Sequence, residues 1–292
     1  MKKLTILLAA LSVASAAYAK EVMPVAETVK EVKSAPMLRV TSVGQSLEID
    51  NDSGAENIGQ EVHFANTVGL AYGDDWTFEL MARKTWSMDT DEGTHSADHR
   101  IDLSAMRAYE NFNLGARWRQ EKESDSYFLL GDYSYGMFSG WFEPAYVSSN
   151  GNDDVDSFYL EAMPVIATYG PVSLGYYVEA SDYRGDSNND GIEKESVHQI
   201  RVMADLYSND KLSINGELRY QFAHDVDMKD SQKWQENNKY GVQLGAEYLV
   251  TDALSIDGYY LYEFNKYDGH AGATDHADNY YGEFAIGWTY SF

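Results

Sequence analysis

Along the chain, Arg83, Arg100, Arg117 and Arg119 are followed by Glu143, Glu161 and Glu179, then Arg201 and Arg219, then Glu247, Asp257, Glu263 and Glu283. Each lies on the polar side of a segment in which apolar and polar residues alternate. A strand would therefore present each of them on one face. Guanidinium groups stay charged in any surroundings, and carboxylates near them supply either a field or a partner. A basic sector facing acidic sectors would set up a transverse field that orders water and selects polar solutes by charge and dipole. The same residues could instead pair between neighbouring strands and simply solvate and stiffen a wall. Covalent chemistry has less to work with. Ser96 shares a stretch with His95 and His99, but no partner set completes a hydrolytic arrangement, so no enzyme is expected.

Two weaker constellations lie in polar stretches. Asp186, Asn188 and Asp190, ahead of Gly191, have the D-x-N-x-D-G spacing that presents oxygens to calcium. The closing glutamate is missing: Val197 stands in its place, with Glu193 nearby. The stretch is read as a polar loop, with a calcium loop as the alternative. His95, His99, His224, His270 and His276 all map to the side of the long connections, where they are read as solvated residues, a metal site or pH gate being the alternative. No cofactor is expected.

The elements that must carry these residues are strands. From about Pro36 onward, alternating segments of roughly ten residues follow one another, and their separators alternate in length. Long polar separators fall at Asn51–Asn57, Asp89–Asp98, Ser149–Asp154, Gly185–Glu195, Asp225–Asn238 and Asp268–Asp278, and Glu123–Asp125 stands where a further long one is due. Tight turns fall at Gly73–Asp75, Glu110–Asn111, Tyr135–Gly136, Gly170–Pro171, Ser208–Asp210 and Thr251–Asp252. Seven connections on one side and six on the other predict fourteen antiparallel strands, with 12 or 16 as alternatives, and both ends on the short-turn side.

The faces favour lipid over a soluble sandwich. Trp76, Phe78, Leu80 and Ala82 oppose Thr77, Glu79, Met81 and Arg83, while Leu218, Tyr220 and Phe222 oppose Glu217, Arg219 and Gln221. Such segments are long for soluble strands, and a meander of short and long connections is not a Greek key. A closed barrel in lipid puts the apolar face outside and the polar face inside, with no free edge. Tyr72, Trp76, Trp86, Tyr207, Tyr248 and Tyr290, at strand ends, then form interfacial girdles. The expected fold is all-β, a transmembrane antiparallel up-and-down β-barrel.

The chain's start and composition agree. Residues 1–19 read as a secretory signal peptide: Lys2 and Lys3, an apolar core from Leu4 to Val13, and Ala17-Tyr18-Ala19 before a cut. Residues 20–35 follow as a periplasmic spacer or short partner-binding arm, and 36–292 as the barrel. Removing Lys2 and Lys3 leaves 20 basic residues against 47 acidic, taking the formal charge from −25 to −27. Such a chain repels nucleic acid and attracts cations. With 0 cysteines it is stabilised without disulfides.

Two resemblances follow. Residues Asn279 to Phe292 alternate aromatic with small or polar side chains and close on Tyr290 and Phe292. This resembles the C-terminal assembly signal of bacterial outer-membrane proteins, and implies that the barrel assembly machinery reads these residues. Lys20-Glu21-Val22-Met23-Pro24, with the Val/Lys/Glu-rich stretch to Pro36, resembles the mature start of fusobacterial outer-membrane porins. Strand number and layout resemble the monomeric fourteen-strand porins of the OmpG type and, more loosely, oligogalacturonate-uptake porins. These resemblances imply outer-membrane lipid as surroundings and passive diffusion of ions and small polar solutes, with the acidic loops adding a weak cation preference. A monomer and a trimer both fit. An adhesin role is the alternative, and a barrel hydrolase a more distant one.

Overall fold

The computed structural model describes residues 37–52, 60–89, 93–150, 155–184, 191–229, 233–235, 239–265 and 279–292. Residues 1–19, read above as a signal peptide, the segment 20–35, Asp186, Asn188 and Asp190, and His270 and His276 lie outside the described residues. In chain order the strands are β1 (Leu38–Asp52), β2 (Glu61–Tyr72), β3 (Trp76–Asp89), β4 (Gly93–Ala108), β5 (Phe112–Glu121), β6 (Ser124–Tyr135), β7 (Phe138–Ser149) and β8 (Ser157–Tyr169). They continue with β9 (Val172–Tyr183), β10 (Ile192–Ser208), β11 (Leu212–Met228), β12 (Lys233–Gln235), β13 (Lys239–Leu249), β14 (Leu254–Asn265) and β15 (Asn279–Ser291).

Every pairing is antiparallel and between sequence neighbours, except that β11 also pairs with β13 and β1 with β15, which closes the sheet. The 3-residue β12 lies against Asp225–Asp227 of β11, beyond the point where β13 leaves it, so both belong to one stave. The result is a closed barrel of fourteen staves, the expected number. Its six short turns fall where the sequence places them.

The long-connection side differs. β4 begins at Gly93, inside the stretch expected to be loop, and β10 and β11 pair out to Lys194–Asp227 and Ile192–Met228. Apolar alternation stops where the lipid stops, but the backbone ladder needs no greasy face to continue. Hairpin pairing satisfies N–H and C=O groups equally well above the bilayer.

The outside is apolar and the inside polar. Leu80, Leu103, Leu129, Leu174, Leu218, Val242, Leu244 and Ile286 are exposed, while Thr85, Asp102, Glu143, Gln199, Arg201, Glu217, Arg219 and Glu263 are buried. No described helix is long and apolar enough to cross a membrane; the strands themselves provide the crossing. An apolar band that encircles a closed barrel can be covered only by lipid. Tyr72, Trp76, Tyr207, Tyr248 and Tyr290 stand exposed at the short-turn end of this band. Trp86 lies toward the opposite end, across from Val62 and Ser96.

Candidate functional site: the barrel interior

A cavity of about 670 Å³ runs inside the barrel from the short turns at Gly136 and Gly170 to a layer of charged side chains. Alternation places the charges. Residues two apart on a strand share the inner face, and antiparallel register brings them level with those of the next strand.

On β4 and β5 the basic groups converge on one carboxylate. Arg100 Nη2 donates to Asp102 Oδ2 at 2.6 Å and Arg119 Nε to Asp102 Oδ1 at 3.1 Å, with Asp102 only 4% exposed. Arg117 Nη2 reaches across β6 to Glu143 Oε2 on β7 at 2.5 Å. It passes over Phe128, whose ring centre lies 4.1 Å from the Arg117 guanidinium and 4.9 Å from that of Arg119. Arg83 stands opposite Arg100, and its Nε is buried without an acceptor.

A second knot joins β10, β11, β13 and β14. Arg201 Nη1 lies 3.4 Å from Glu217 Oε1, to which Arg219 Nε donates at 2.8 Å. Arg219 Nη1 also donates to Glu263 Oε1 at 3.4 Å, and Lys239 Nζ pairs with Glu263 Oε2 at 2.9 Å. The strand between, β13, carries Gly241 there. A Cβ at that position would sit 3.2 Å from Arg219, so the missing side chain clears the path.

Between these knots the carboxylates line up. Register sets Glu143 opposite Glu161, and Glu161 opposite Glu179. Like charges so placed repel. Two phenols bridge the row: Tyr177 donates to Glu161 at 3.2 Å and to Glu179 at 2.9 Å, and Tyr159 to Glu179 at 3.1 Å. The Arg201 guanidinium covers the Tyr177 ring at 3.7 Å. Glu247 faces Asp257 across β13 and β14, and Glu283 accepts from Tyr259 and, at 2.8 Å, from Tyr281.

All the charged residues singled out in the sequence therefore have inward positions, and most fall into two knots and one row. Local pairing and sector charge coexist: the strongest contacts are pairs, yet β7–β9 remain acidic and β3–β5 basic. The sequence reading missed Asp102 and Gln199, which stand two residues from Arg100 and before Arg201 and hydrogen-bond them. Parity alone would have found both. It also missed an apolar patch inside the barrel, where Met163, Ile166 and Tyr177 pack with Trp141 and Met203. A bulge in β8 between Ala162 and Val165 resets the parity there, bringing Ile166 inward.

Outside this interior the expected residues are dispersed. Tyr290 and Phe292 are exposed at the short-turn end, their rings 5.1 Å apart, and the Phe292 amide donates to the Thr41 carbonyl at 3.0 Å. Ser96 accepts a hydrogen bond from Lys84, and no described contact joins it to His95 or His99. His224 Nε2 lies 3.9 Å from Glu195 Oε2 on the β10–β11 hairpin, so the described histidines expected on the loop side do not converge.

No protein-family model matches the chain, and no curated protein matches it. Among solved structures it is similar in fold to a bacterial polysaccharide outer membrane secretin, with TM-score 0.51, 13% identity, and 90% of this chain and 100% of that chain covered. Weaker likenesses include the CymD monoaromatic hydrocarbon channel (TM-score 0.48, 9% identity, 89% of each chain). Another is an anion-selective porin from Comamonas acidovorans (TM-score 0.44, 11% identity, 88% of this chain and 100% of that one). The first establishes a shared barrel fold; the other two add nothing to it.

Proposed function

We propose that the protein is an outer-membrane porin through which ions and small polar solutes diffuse passively, with a weak preference for cations. One observation carries this reading: a closed barrel with an apolar exterior encloses a cavity whose upper boundary is charged side chains. A wall built only for anchorage needs no such lining. Eight strands fill with their own side chains and sixteen or more leave an open channel, so fourteen leave a lumen that side chains narrow. The pairs Arg117–Glu143 and Arg119–Asp102 are the narrowing elements in this reading.

The finer assignment, a fusobacterial-type porin with an OmpG-like layout, rests on the N-terminal stretch and the strand number. Tyr290 and Phe292 are the residues through which the assembly machinery would recognise the last strand. We assign no enzymatic role, because the Ser96 hydroxyl is engaged by Lys84 rather than by an imidazole. Planar-bilayer recording on the folded, heat-modifiable protein tests the proposal. Discrete conductance steps and a cation-selective reversal potential are expected. Folded protein that inserts without conducting would overturn the channel reading and leave the adhesin one.

A further inference from the structure

Where the sheet closes, on β15, β1 and β2, the interior holds a group of side chains outside both charge knots. Glu48 and Asp50 share the inner face of β1, and Glu61 and His63 that of β2, two residues apart in each case. Register sets Asp50 directly between Glu61 on one side and Glu283 on the other, with Glu48 beside His63. Three carboxylates level with one another on adjacent strands repel. Tyr259 and Tyr281 engage Glu283, yet Asp50 Oδ1 is buried and accepts no hydrogen bond.

His63 is the pivot. It is 7% exposed, and its Nδ1 lies 2.8 Å from the Oγ1 of Thr85, itself 2% exposed. That contact aims Nε2 at the carboxylates: Asp50 Oδ2 at 3.1 Å, Glu61 Oε2 at 3.6 Å and Glu48 Oε1 at 3.9 Å. An imidazole fixed at one nitrogen while the other faces acidic oxygens is the usual arrangement of a metal-binding histidine and its outer partner. The ligand atoms stand somewhat wider apart than an ion would hold them, but within reach of it. Metal–ligand bonds of about 2.0–2.2 Å place neighbouring ligand atoms roughly 3–3.5 Å apart, and those of Glu48, Asp50 and His63 all lie within 4.8 Å of one another. A contact of His63 with Asp50 alone would satisfy some of these groups. It would still leave the Asp50 Oδ1 without a partner, although Arg83 on β3 also acts on Glu48.

We propose that Glu48, Asp50 and His63, with Glu61 at the approach, form a binding site for a divalent transition-metal cation, zinc being the reference ion. One imidazole and two or three carboxylates suit zinc or manganese and disfavour magnesium, which takes oxygen ligands and keeps its waters. Glu61, 46% exposed, is the acidic lead-in from the long-connection mouth. A bound cation would tie β1 to β2 beside the closing seam. The site goes beyond the channel reading and does not depend on it, since binding is measured whether or not the barrel conducts.

The test is isothermal titration of zinc chloride into the folded protein in detergent, for wild type, His63→Gln, Asp50→Asn, Thr85→Val and His95→Gln. Heat-modifiability of each variant checks that it is folded. Wild type should bind one zinc per chain at this site, and His63→Gln and Asp50→Asn should weaken it by about a hundredfold or more. Thr85→Val, which keeps every ligand but frees the ring, should cost about 10–100-fold, and His95→Gln should change nothing. If His63→Gln fails to fold, Asp50→Asn and Thr85→Val decide the matter. Zinc binding that is unaffected in the folded variants would overturn the site, as would magnesium binding as tightly as zinc. Failure of wild type to bind zinc would also overturn it, leaving His63 as an ion-pair partner alone.

Discussion

The arginines of β3 and β5 offer the sharpest measurements at the level of single residues. Replacing Arg83, Arg117 and Arg119 together by serine removes three guanidiniums beside the cavity and releases Glu143 and part of Asp102. Single-channel conductance should rise and selectivity move further toward cations; a triple variant that conducts and selects like wild type would take these arginines out of the narrow part. Arg117 and Glu143 also suit a double-mutant cycle, because they meet across an intervening strand at 2.5 Å. Arg117→Ser and Glu143→Gln should show a coupling of about 0.5–3 kcal/mol in urea unfolding, and zero coupling would mean that water screens the contact. Which side chains face inward was legible from alternation. Their partners were not, because Arg117 reaches past its nearest neighbours to the second strand over, and no sequence spacing encodes that reach.

Strands and their ends come next. Gly131 on β6 leaves room for the Phe142 ring of β7, which lies over it: a Cβ there would come within 2.2 Å of the ring. Gly131→Leu should therefore displace Phe142 and lower stability by about 1–3 kcal/mol, read as a lower urea midpoint, whereas a pairing of Gly131→Leu with Phe142→Gly should recover part of the loss. At the start of β8, Asp156 accepts from the Tyr146 hydroxyl and, at 3.0 Å, from the Ser149 amide, tying together the ends of β7 and β8. The Tyr146 hydroxyl first, and the Ser149 amide second, hold its carboxyl below the usual value. A lowered carboxyl favours the folded form above its unfolded pKa, near 3.9, and that contribution is lost as pH falls through the folded value. Pepsin should thus cut the β7–β8 connection faster as pH drops below about 4, and Asp156→Asn should flatten the dependence; equal acid sensitivity in the variant would exclude this tie. Turn positions were legible because Gly, Asn and Asp mark them. The upper strand ends were not, since pairing outlasts the apolar alternation that reveals it.

For the whole molecule, charge decides. The sequence carries 47 acidic residues against 22 basic ones, and its long connections are acidic in sequence; acidic groups at a channel mouth would concentrate cations over a Debye length of about 10 Å at 0.1 M salt. Cation preference measured by reversal potential should therefore fall as ionic strength rises and the inner arginines come to dominate; a preference that does not change with salt would place the selecting charges inside the lumen. Closure, strand number and orientation of the faces were all legible in the sequence, because lipid allows few ways to satisfy a backbone. The uneven wall was not. β10 and β11 run 17 residues each, while β5 and β6 run 10 and 12. A bilayer takes up about 9–11 residues of a tilted strand, so the β10–β11 ribbon stands roughly 15 Å above it while β5 and β6 end near its surface. The β3–β4 hairpin, of 14 and 16 residues, rises on the far side of the barrel, so the described strands give the rim two raised walls with lower stretches between them. A solute moving along the cell surface would meet a lower threshold between two screens. Atomic force topography of single barrels in a supported bilayer should find two ridges per molecule, on opposite sides of the barrel axis.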